Sequence, residues 1–250
     1  MTISPRYTTI GNLTNNLYGG ESFSPILGYY MKNRICYIVG ACDFNETITP
    51  DGSDYIIAAD AGYKSLAENG ITPDAVMGDF DSLGFVPMHK NIIKHPPEKD
   101  DTDTALALNY GYNMGYRKFL VFGGIGGRLD HTLANMQTLL GMKRRGCECY
   151  LIGNGCIITA LENESFTFSG REKGYLSLFA ASGEAKDVTL KGLKYTLDNT
   201  IIYPDISLAV SNEFTGEKAN ITTKGALFML WYENFCDKEG SIYENKRSNI

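Results

Sequence analysis

Residues 55–80 read YIIAADAGYKSLAENGITPDAVMGDF, and this stretch decides the fold because it holds two short apolar runs with a helical pattern between them. The runs YIIAAD (55–60) and AVMGDF (75–80) are continuously apolar rather than alternating, as strands covered on both faces are. Residues 62–69 form a helix candidate that ends at Gly70, a typical C-cap residue. Strand, helix and strand in this order predict a parallel sheet with helices packed on it.

The same alternation continues on both sides of this stretch. Four further apolar runs are RICYIVG (34–40), NIIKHP (91–96), KFLVFGG (118–124) and ECYLIG (148–153). Two further helix candidates are 101–115, which begins behind Asp100 with Asp103 in its first turn, and 129–144. The second of these helices carries an apolar stripe made of Leu129, Leu133, Met136 and Leu140. We therefore predict an α/β fold whose N-terminal part is a parallel-sheet, Rossmann-like domain.

The pattern changes after about residue 150, where short strands and turn residues follow one another without a convincing helix. The runs are IITALE (157–162), ESFTFS (164–169), YLSLFAAS (175–182), DVTLKGLKY (187–195), TIIY (200–203), ISLAVSNEF (206–214) and ANITTKGALFMLWYE (219–233). They predict a C-terminal antiparallel β-sandwich in which Trp231 is a core residue. The expected organisation is an extension of unknown role (1–30), an α/β domain (31–148), a β-sandwich (149–237) and a polar tail (238–250).

Composition narrows the function classes. A hydrophobic content of 43% and a charged content of 21% indicate a globular chain rather than a disordered one. The net charge of -6 argues against a nucleic-acid partner, which would favour a basic face. No apolar run of membrane-spanning length is present, so we expect no membrane partner. The six cysteines form no CxxC pair and indicate reduced thiols and a cytoplasmic protein.

Carboxylates follow several of the predicted strands. Asp60 ends the second run, and Asp79 and Asp81 follow the third. Asp100 and Asp103 stand after the fourth run, at the start of a helix. In an open parallel sheet, ligands bind beyond the carboxyl ends of the strands. If the backbone stays extended, Asp79 and Asp81 point the same way and can share a cation. Oxygen ligands favour Mg²⁺, although the same aspartates could be helix caps and solvated turn residues.

The fifth run ends in the glycine loop GGIGGR (123–128), which precedes a helix. Its backbone N–H groups could approach a phosphate closely, and Arg128 could bind the phosphate in a bidentate fork. The glycines expected to do so are Gly124, Gly126 and Gly127. The loop fits neither the Walker A motif nor the GxGxxG spacing. Asp130 and His131 could cap the helix, position Arg128 or contact substrate, and His131 could equally be a surface residue.

Taken together, these segments resemble the thiamine pyrophosphokinase family. The matching motifs are ADAG (59–62), PDAVMGDFDS (73–82), KDDTD (99–103), GGIGGRLDH (123–131), GLKYTLDN (192–199) and SNEF (211–214). The resemblance extends over residues 34 to about 235 and departs at Ala61, where the family pattern has glycine. It implies an α/β nucleotide-binding domain followed by a β-sandwich, and Mg²⁺-assisted transfer of a pyrophosphoryl group from ATP to thiamine.

The resemblance also implies roles for individual residues. The catalytic and Mg²⁺-binding residues would be Asp79, Asp81 and Asp103. The nucleotide and phosphate site would be lined by Asp60, Lys99, Asp100, Gly124, Gly126, Gly127, Arg128, Asp130 and His131. Ser211 and Asn212 would lie near the thiamine pyrimidine, and Tyr195 would stack on it. The family further implies a homodimer whose thiamine sites form between the subunits.

Three other functions fit parts of the pattern. AVMGDFDS (75–82) ends a strand with a DxD element, as in haloacid-dehalogenase-like phosphatases, but such an enzyme has no use for the glycine loop. A non-catalytic nucleotide or thiamine sensor could keep the same fold. A pyrophosphokinase for another hydroxymethyl acceptor, such as a pterin, would keep the chemistry and change the acceptor pocket.

Overall fold

The computed structural model of the chain describes residues 34–81, 83–94 and 101–232. Several sequence predictions therefore lie outside the described residues, namely those for the extension 1–30, the tail 238–250, Lys99 and Asp100.

All six apolar runs of the N-terminal part form strands of one parallel sheet. The strands are β1 (Ile35–Val39), β2 (Tyr55–Ala59), β3 (Ala75–Gly78), β4 (Ile92–Lys94), β5 (Lys118–Phe122) and β6 (Glu148–Gly153). Their order in the sheet is β6-β5-β1-β2-β3-β4, with every neighbouring pair parallel. From β1 the chain thus adds β2, β3 and β4 on one side of the sheet. It then crosses back and adds β5 and β6 on the other side of β1. This reversal creates a topological switch point between β1 and β5.

Three helices connect the parallel strands, as predicted. They are α1 (Gly62–Glu68), α2 (Asp103–Asn113) and α3 (Leu129–Arg144). The start of α2 lies later than expected, because the Thr102 hydroxyl accepts a hydrogen bond from the Ala105 N–H at 3.1 Å and so caps the helix. Asp103 is then the first helical residue, where its negative charge suits the positive end of the helix.

The apolar stripe predicted for α3 is only half correct. Leu140 is buried, but Leu129 and Leu133 have exposed fractions of 72% and 52%. Helix α3 packs on the sheet through its second half, where Leu139 and Met142 are also buried. Its first turns leave these two leucines uncovered in the part of the chain that the structure describes.

The described residues of the C-terminal half, 154–232, form eight strands. They are β7 (Cys156–Glu162), β8 (Ser165–Phe168), β9 (Tyr175–Ala180), β10 (Ala185–Lys191), β11 (Leu197–Ile202), β12 (Asn212–Glu213), β13 (Ala219–Lys224) and β14 (Ala226–Tyr232). Three predicted runs need correction. The strand in the run 187–195 ends at Lys191. Most of 206–214 forms turns, with only Asn212–Glu213 in a strand, and 219–233 is two strands separated at Gly225, whose φ is +117°.

The sheet continues across the expected boundary between the two halves. Strand β6 pairs with β5 in parallel on one side and with β7 antiparallel on the other. Strands β14, β9 and β12 follow, so that one ten-stranded sheet has the order β12-β9-β14-β7-β6-β5-β1-β2-β3-β4. The remaining strands form a separate antiparallel sheet in the order β11-β10-β13-β8. The antiparallel half therefore consists of four strands that extend the parallel sheet and of a separate four-stranded sheet.

Both faces of the central parallel strands are covered. In β1, Tyr37 and Val39 point to the core that contains Leu66 of α1 and the apolar side chains of the four-stranded sheet. Cys36 and Ile38 point to the opposite core, which α2 and α3 cover. This arrangement explains why the parallel strands are continuously apolar, since neither face meets water. None of the helices in the described parts of the chain has the length and apolar character needed to cross a bilayer.

Candidate functional site

Four strand ends meet at one edge of the sheet. Strands β5, β1, β2 and β3 lie side by side, and each is followed at its carboxyl end by a glycine or an aspartate. In sheet order these residues are Gly123, Gly40, Asp60 and Asp79. Backbone hydrogen bonds tie the ends together, because the Gly40 N–H donates to the Phe122 carbonyl at 2.7 Å. The strand ends that carry Asp60, Asp79 and the glycine loop therefore lie side by side.

Asp60 is the most buried carboxylate at this edge. Its exposed fraction is 7%, and its backbone adopts a left-handed conformation with φ of +48°. Its N–H donates to the Met77 carbonyl at 2.7 Å, but its Oδ1 has no hydrogen-bond partner among the described residues. A buried, unpartnered carboxylate oxygen is costly, so a hydrogen-bond donor or a cation bound beside it would be stabilising. Ala61, the departure from the family pattern, has an ordinary helical φ of −62° that alanine adopts without strain.

Asp79 and Asp81 do not lie on extended backbone, as the sequence interpretation assumed. Phe80 between them is buried and has a φ of +66°, so the chain turns sharply there. Asp79 Oδ1 accepts the Asp81 N–H at 3.1 Å, which stabilises the turn. Asp81 is exposed, and Asp79 is partly buried. The two carboxylates are neighbours through this turn and not through strand alternation.

The third expected metal ligand, Asp103, opens α2, and α2 packs against β1, β2 and β3. Lys99 and Asp100 lie outside the described residues. Among the residues that the structure describes, no group of three or more His, Cys, Asp or Glu side chains is close enough to hold a metal ion. The assignment of Mg²⁺ to Asp79, Asp81 and Asp103 therefore stays a prediction.

The glycine loop lies against the segment that follows β1. A Cβ on Gly123, whose φ is +63°, would approach the Gly40 carbonyl oxygen to 2.5 Å and the Cys42 carbonyl oxygen to 2.7 Å. Only glycine fits there, since a side chain would collide with backbone. The loop then turns through Gly126 and Gly127, which also have positive φ values, and leads into α3. The predicted strand, glycine loop and helix are all present.

Arg128 and Asp130 form a forked ion pair at the start of α3. The Arg128 Nε donates to one Asp130 carboxylate oxygen at 3.1 Å, and a terminal guanidinium nitrogen donates to the other at 2.5 Å. This pairing lowers the pKa of Asp130 and raises the pKa of Arg128. Both side chains are exposed. Of the three roles considered for Asp130, the structure favours the positioning of Arg128. His131 is exposed, and its backbone N–H donates to Asp130 at 3.0 Å.

A second constellation lies in the antiparallel half. The buried Asn212 side chain clamps the backbone of Tyr195, accepting its N–H at 2.9 Å and donating to its carbonyl at 2.6 Å. The Tyr195 ring has an exposed fraction of 58%, so it is not a core residue. Ser211 next to it has a φ of +58°, and its N–H donates to the Ser177 hydroxyl at 3.0 Å. The structure thus brings all three predicted acceptor residues together.

Sequence reasoning missed the side chains that hold the glycine loop. Asn135 of α3 donates to the Gly124 carbonyl at 2.9 Å, and the Cys42 thiol donates to the Gly126 carbonyl at 3.2 Å. A signal for Asn135 was available, because it stands four residues before Leu139 and so falls on the buried face of α3. A polar residue on such a face commonly serves a hydrogen bond. For Cys42 the sequence offers no comparable signal.

A cavity of about 650 Å³ lies elsewhere, at the opposite end of the parallel strands. Its lining includes Lys143, Glu148, Tyr150, Glu164, Phe166 and Lys218. None of the predicted site residues contributes to it. The residues that the sequence assigns to the chemistry stand instead after the carboxyl ends of the parallel strands.

The fold and this edge define a class: an α/β protein with a candidate ligand site at the carboxyl ends of parallel strands and an attached antiparallel sheet. The family described as "Thiamin pyrophosphokinase, catalytic domain" matches residues 49–151, and "Thiamin pyrophosphokinase, vitamin B1 binding domain" matches residues 161–228. A thiamine pyrophosphokinase of Bacillus subtilis (strain 168) is 32% identical over 200 residues, which cover 74% of this chain and 93% of that protein. The chain belongs to the thiamine pyrophosphokinase family and is a diphosphotransferase.

Solved structures agree with this membership. A crystal structure of thiamine pyrophosphokinase from Bacillus subtilis superposes with a TM-score of 0.72 at 27% identity, over 80% of this chain and 99% of that one. One of thiamin pyrophosphokinase from Geobacillus thermodenitrificans gives a TM-score of 0.69 at 25% identity, over 82% and 99%. The comparisons give no support to the phosphatase, the non-catalytic sensor or the pterin enzyme.

Proposed function

We propose that the chain transfers the pyrophosphoryl group of ATP to the hydroxyl of thiamine. The hydroxyl oxygen forms a bond to the β-phosphorus, the bond from that phosphorus to the bridging α–β oxygen breaks, and AMP leaves while the hydroxyl loses its proton. One observation carries the proposal: in a member of this family, the buried Asp60, the Asp79 turn and the glycine loop stand at neighbouring strand ends. The strand reversal between β1 and β5 supports a Rossmann-like mode of nucleotide binding.

The residues at this edge fit Mg²⁺. Their donors are carboxylate oxygens, and the unpartnered Oδ1 of Asp60 points to a missing cation or hydrogen-bond donor. Mg²⁺ is commonly held by one or two carboxylates together with substrate phosphates, so a complete protein cage is not required. Asp79, Asp81 and Asp103 would hold the ion. When bound, Mg²⁺ would neutralise charge on the phosphate oxygens of ATP.

The chain's own groups would orient the donor. Phosphoryl-type transition states are loose, so the protein contributes mainly by positioning and by electrostatic stabilisation. Arg128 would contact the phosphates, and the fork with Asp130 would fix the direction of its guanidinium. The glycine loop would present backbone N–H groups, supported by the positive end of α3. Lys99, Asp100 and His131 belong to the same proposed nucleotide site.

The acceptor would bind at the second constellation. Tyr195 presents an exposed ring on a backbone that Asn212 fixes with two hydrogen bonds. Such a rigid, exposed ring suits stacking on the thiamine pyrimidine. Ser211 lies beside Asn212, within reach of the same ligand.

A homodimer with thiamine sites between subunits is part of this proposal. Ile206, Leu208 and Val210 precede Ser211 in sequence, and their exposed fractions are 53%, 50% and 38%. Exposed apolar groups of this kind beside a site are typical of an interface. Sedimentation analysis should give twice the chain mass, whereas a monomer at working concentration would contradict the dimer. We also propose a cytoplasmic location, which the free thiols of the described cysteines favour.

An activity assay tests the proposed function. Purified protein is incubated with ATP, Mg²⁺ and thiamine, and the products are separated by chromatography. We expect AMP and thiamine diphosphate in equal amounts, with neither formed when thiamine is omitted. Release of phosphate from simple esters without ATP, turnover of a hydroxymethyl pterin alone, or thiamine binding without turnover would each contradict the proposal.

A further inference from the structure

Side chains from three different elements hold the carbonyl oxygens of the glycine loop. The Gly124 carbonyl accepts the Asn135 amide, the Ile125 carbonyl accepts the Asn154 amide at 3.4 Å, and the Gly126 carbonyl accepts the Cys42 thiol. Burial raises the pKa of the Cys42 thiol, which keeps its donating proton in place. Three consecutive carbonyls are thus bound by the protein.

Because the peptide bond is planar, these hydrogen bonds also determine where the N–H groups of the loop point. In a planar trans peptide, the carbonyl of one residue and the N–H of the next point in opposite directions. Holding the Gly124 carbonyl against Asn135 therefore turns the Ile125 N–H away from α3. In the same way, holding the Gly126 carbonyl against Cys42 turns the Gly127 N–H away from Cys42. The Gly126 N–H is not available to a ligand, because it donates to the Thr132 hydroxyl at 3.1 Å. A loop held this way therefore presents the Ile125 and Gly127 N–H groups and withdraws its carbonyl oxygens, as an anion site requires.

Asn135 is the most constrained of the three donors. Its exposed fraction is 4%, and its Nδ2 lies 3.4 Å from the position that a Cβ on Gly124 would take. Its Oδ1 is buried without a hydrogen-bond partner in the described parts of the chain. A buried amide with one orphaned atom is a net cost to folding, and an apolar side chain would avoid that cost. We therefore infer that the amide at this position serves its hydrogen bond to the Gly124 carbonyl rather than the stability of the fold.

We propose that Asn135 is a positioning residue for the phosphates of the nucleotide, acting through the Gly124 carbonyl. The proposal rests on the proposed function, in which the glycine loop binds ATP. Without the Asn135 amide, the Gly124 peptide is free to rotate and to turn its oxygen toward the phosphates, which repel it. Loss of the amide should weaken the binding of the nucleotide and not the binding of thiamine, because the acceptor residues belong to the other half of the chain.

The test compares Asn135→Leu, Asn135→Asp and the control Thr138→Ala. Thr138 lies on the same helix, but its hydroxyl donates to the Ala134 carbonyl at 2.9 Å and does not contact the loop. We expect Asn135→Leu to raise the Kd for a non-hydrolysable ATP analogue, measured by calorimetry, and the KM for ATP about tenfold. The KM for thiamine and the melting temperature should change little, because losing one hydrogen bond is offset by removing the orphaned oxygen. Thr138→Ala should match the wild type.

The Asn135→Asp variant supplies a signature that a purely structural role does not predict. A protonated carboxyl can donate to the Gly124 carbonyl, whereas an ionised one repels it. The affinity of this variant for the ATP analogue should therefore recover as the pH falls, relative to the wild type at the same pH. An unchanged Kd in Asn135→Leu would overturn the proposal, and so would a parallel loss of stability and of both substrate affinities. If the wild type binds the analogue but forms no thiamine diphosphate, the proposed function is wrong. The effect of Asn135 on nucleotide binding can still be measured in that case.

Discussion

The parallel half and the antiparallel half of the chain build their candidate sites in different ways. In the parallel half, topology brings the site together, because β5, β1, β2 and β3 all end at one edge. In the antiparallel half, one buried side chain does so, since Asn212 of β12 binds the backbone of Tyr195, which lies 17 positions earlier in the sequence. A site made by strand ends is built into the backbone, whereas a site made by a clamp depends on a single residue. The two halves should therefore respond differently to substitution.

The largest effect on stability should come from Trp231, which is fully buried where the two halves share a core. Its ring packs against those of Tyr150, Phe166 and Phe168, with centroid distances of 6.3, 6.1 and 5.3 Å. Trp231→Ala should lower the free energy of unfolding by about 3–5 kcal/mol. Chemical denaturation followed by circular dichroism should still give one transition, because the sheet is continuous. Two separate transitions would show that the halves unfold independently.

A smaller effect is expected from Asn212→Ala. The change leaves the Tyr195 N–H and carbonyl without their partner, and about 1–3 kcal/mol of stability should be lost. The KM for thiamine should rise while the KM for ATP stays constant. Asn220→Ala is a matched control, since the Asn220 amide contacts Thr167 and not the acceptor site. A rise in the KM for ATP would contradict the separation of the two sites.

Tyr195→Ala should separate binding from stability. The ring is largely exposed, so the free energy of unfolding should change by less than about 0.5 kcal/mol. Loss of stacking should raise the KM for thiamine about tenfold, and Tyr195→Phe, which keeps the ring, should restore most of the affinity. If both variants bind thiamine as the wild type does, the stacking role is wrong.

The smallest effect concerns Glu148, at the start of β6 between the two halves. Burial raises the pKa of its carboxyl, while Lys118, 3.9 Å away, opposes the shift. A raised carboxyl pKa means that the native state binds the proton more tightly than the unfolded state. Stability from this group is therefore present at low pH and lost as the pH rises through the native pKa.

Glu148→Gln should remove this pH dependence. Between pH 4 and pH 7, the free energy of unfolding of the wild type should fall relative to that of the variant as the pH rises. The difference should stay below about 1 kcal/mol, because solvent screens a partly exposed group. Urea unfolding at several pH values measures it, with the exposed Glu217→Gln as the control. Identical pH profiles for the variant and the wild type would contradict the burial argument.

The parallel half was the more predictable from sequence. Continuous apolar runs identify β1 to β6 because both faces of the sheet are covered, and the glycine loop follows β5 as expected. The turn at Phe80 was missed, since a positive φ at a phenylalanine has no signal in composition. The exposure of Leu129 and Leu133 was also missed, because periodicity defines a helix face but not the length of helix that the sheet covers.

The antiparallel half was predictable as strands and not as a site. The pattern gave no reason to choose Tyr195 or Asn212, which were identified through the family resemblance. The clamp between them depends on two segments that meet only in the folded chain. The sharing of one sheet between the halves was missed although the sequence carries a signal for it. Asn154 and Gly155, both with positive φ, form the two-residue turn that pairs β6 with β7 as a hairpin.

The most direct test of the account is the turnover of Asp81→Ala. Asp81 is exposed in the turn after β3, so its removal should leave the melting temperature and the circular dichroism spectrum unchanged. Asp198→Ala, an exposed aspartate in the antiparallel half, is the control. The account predicts that formation of thiamine diphosphate is abolished in Asp81→Ala, by at least about 100-fold, and retained in the control. Near-normal turnover by a folded Asp81→Ala protein would contradict the assignment of the chemistry to the carboxylates at this edge.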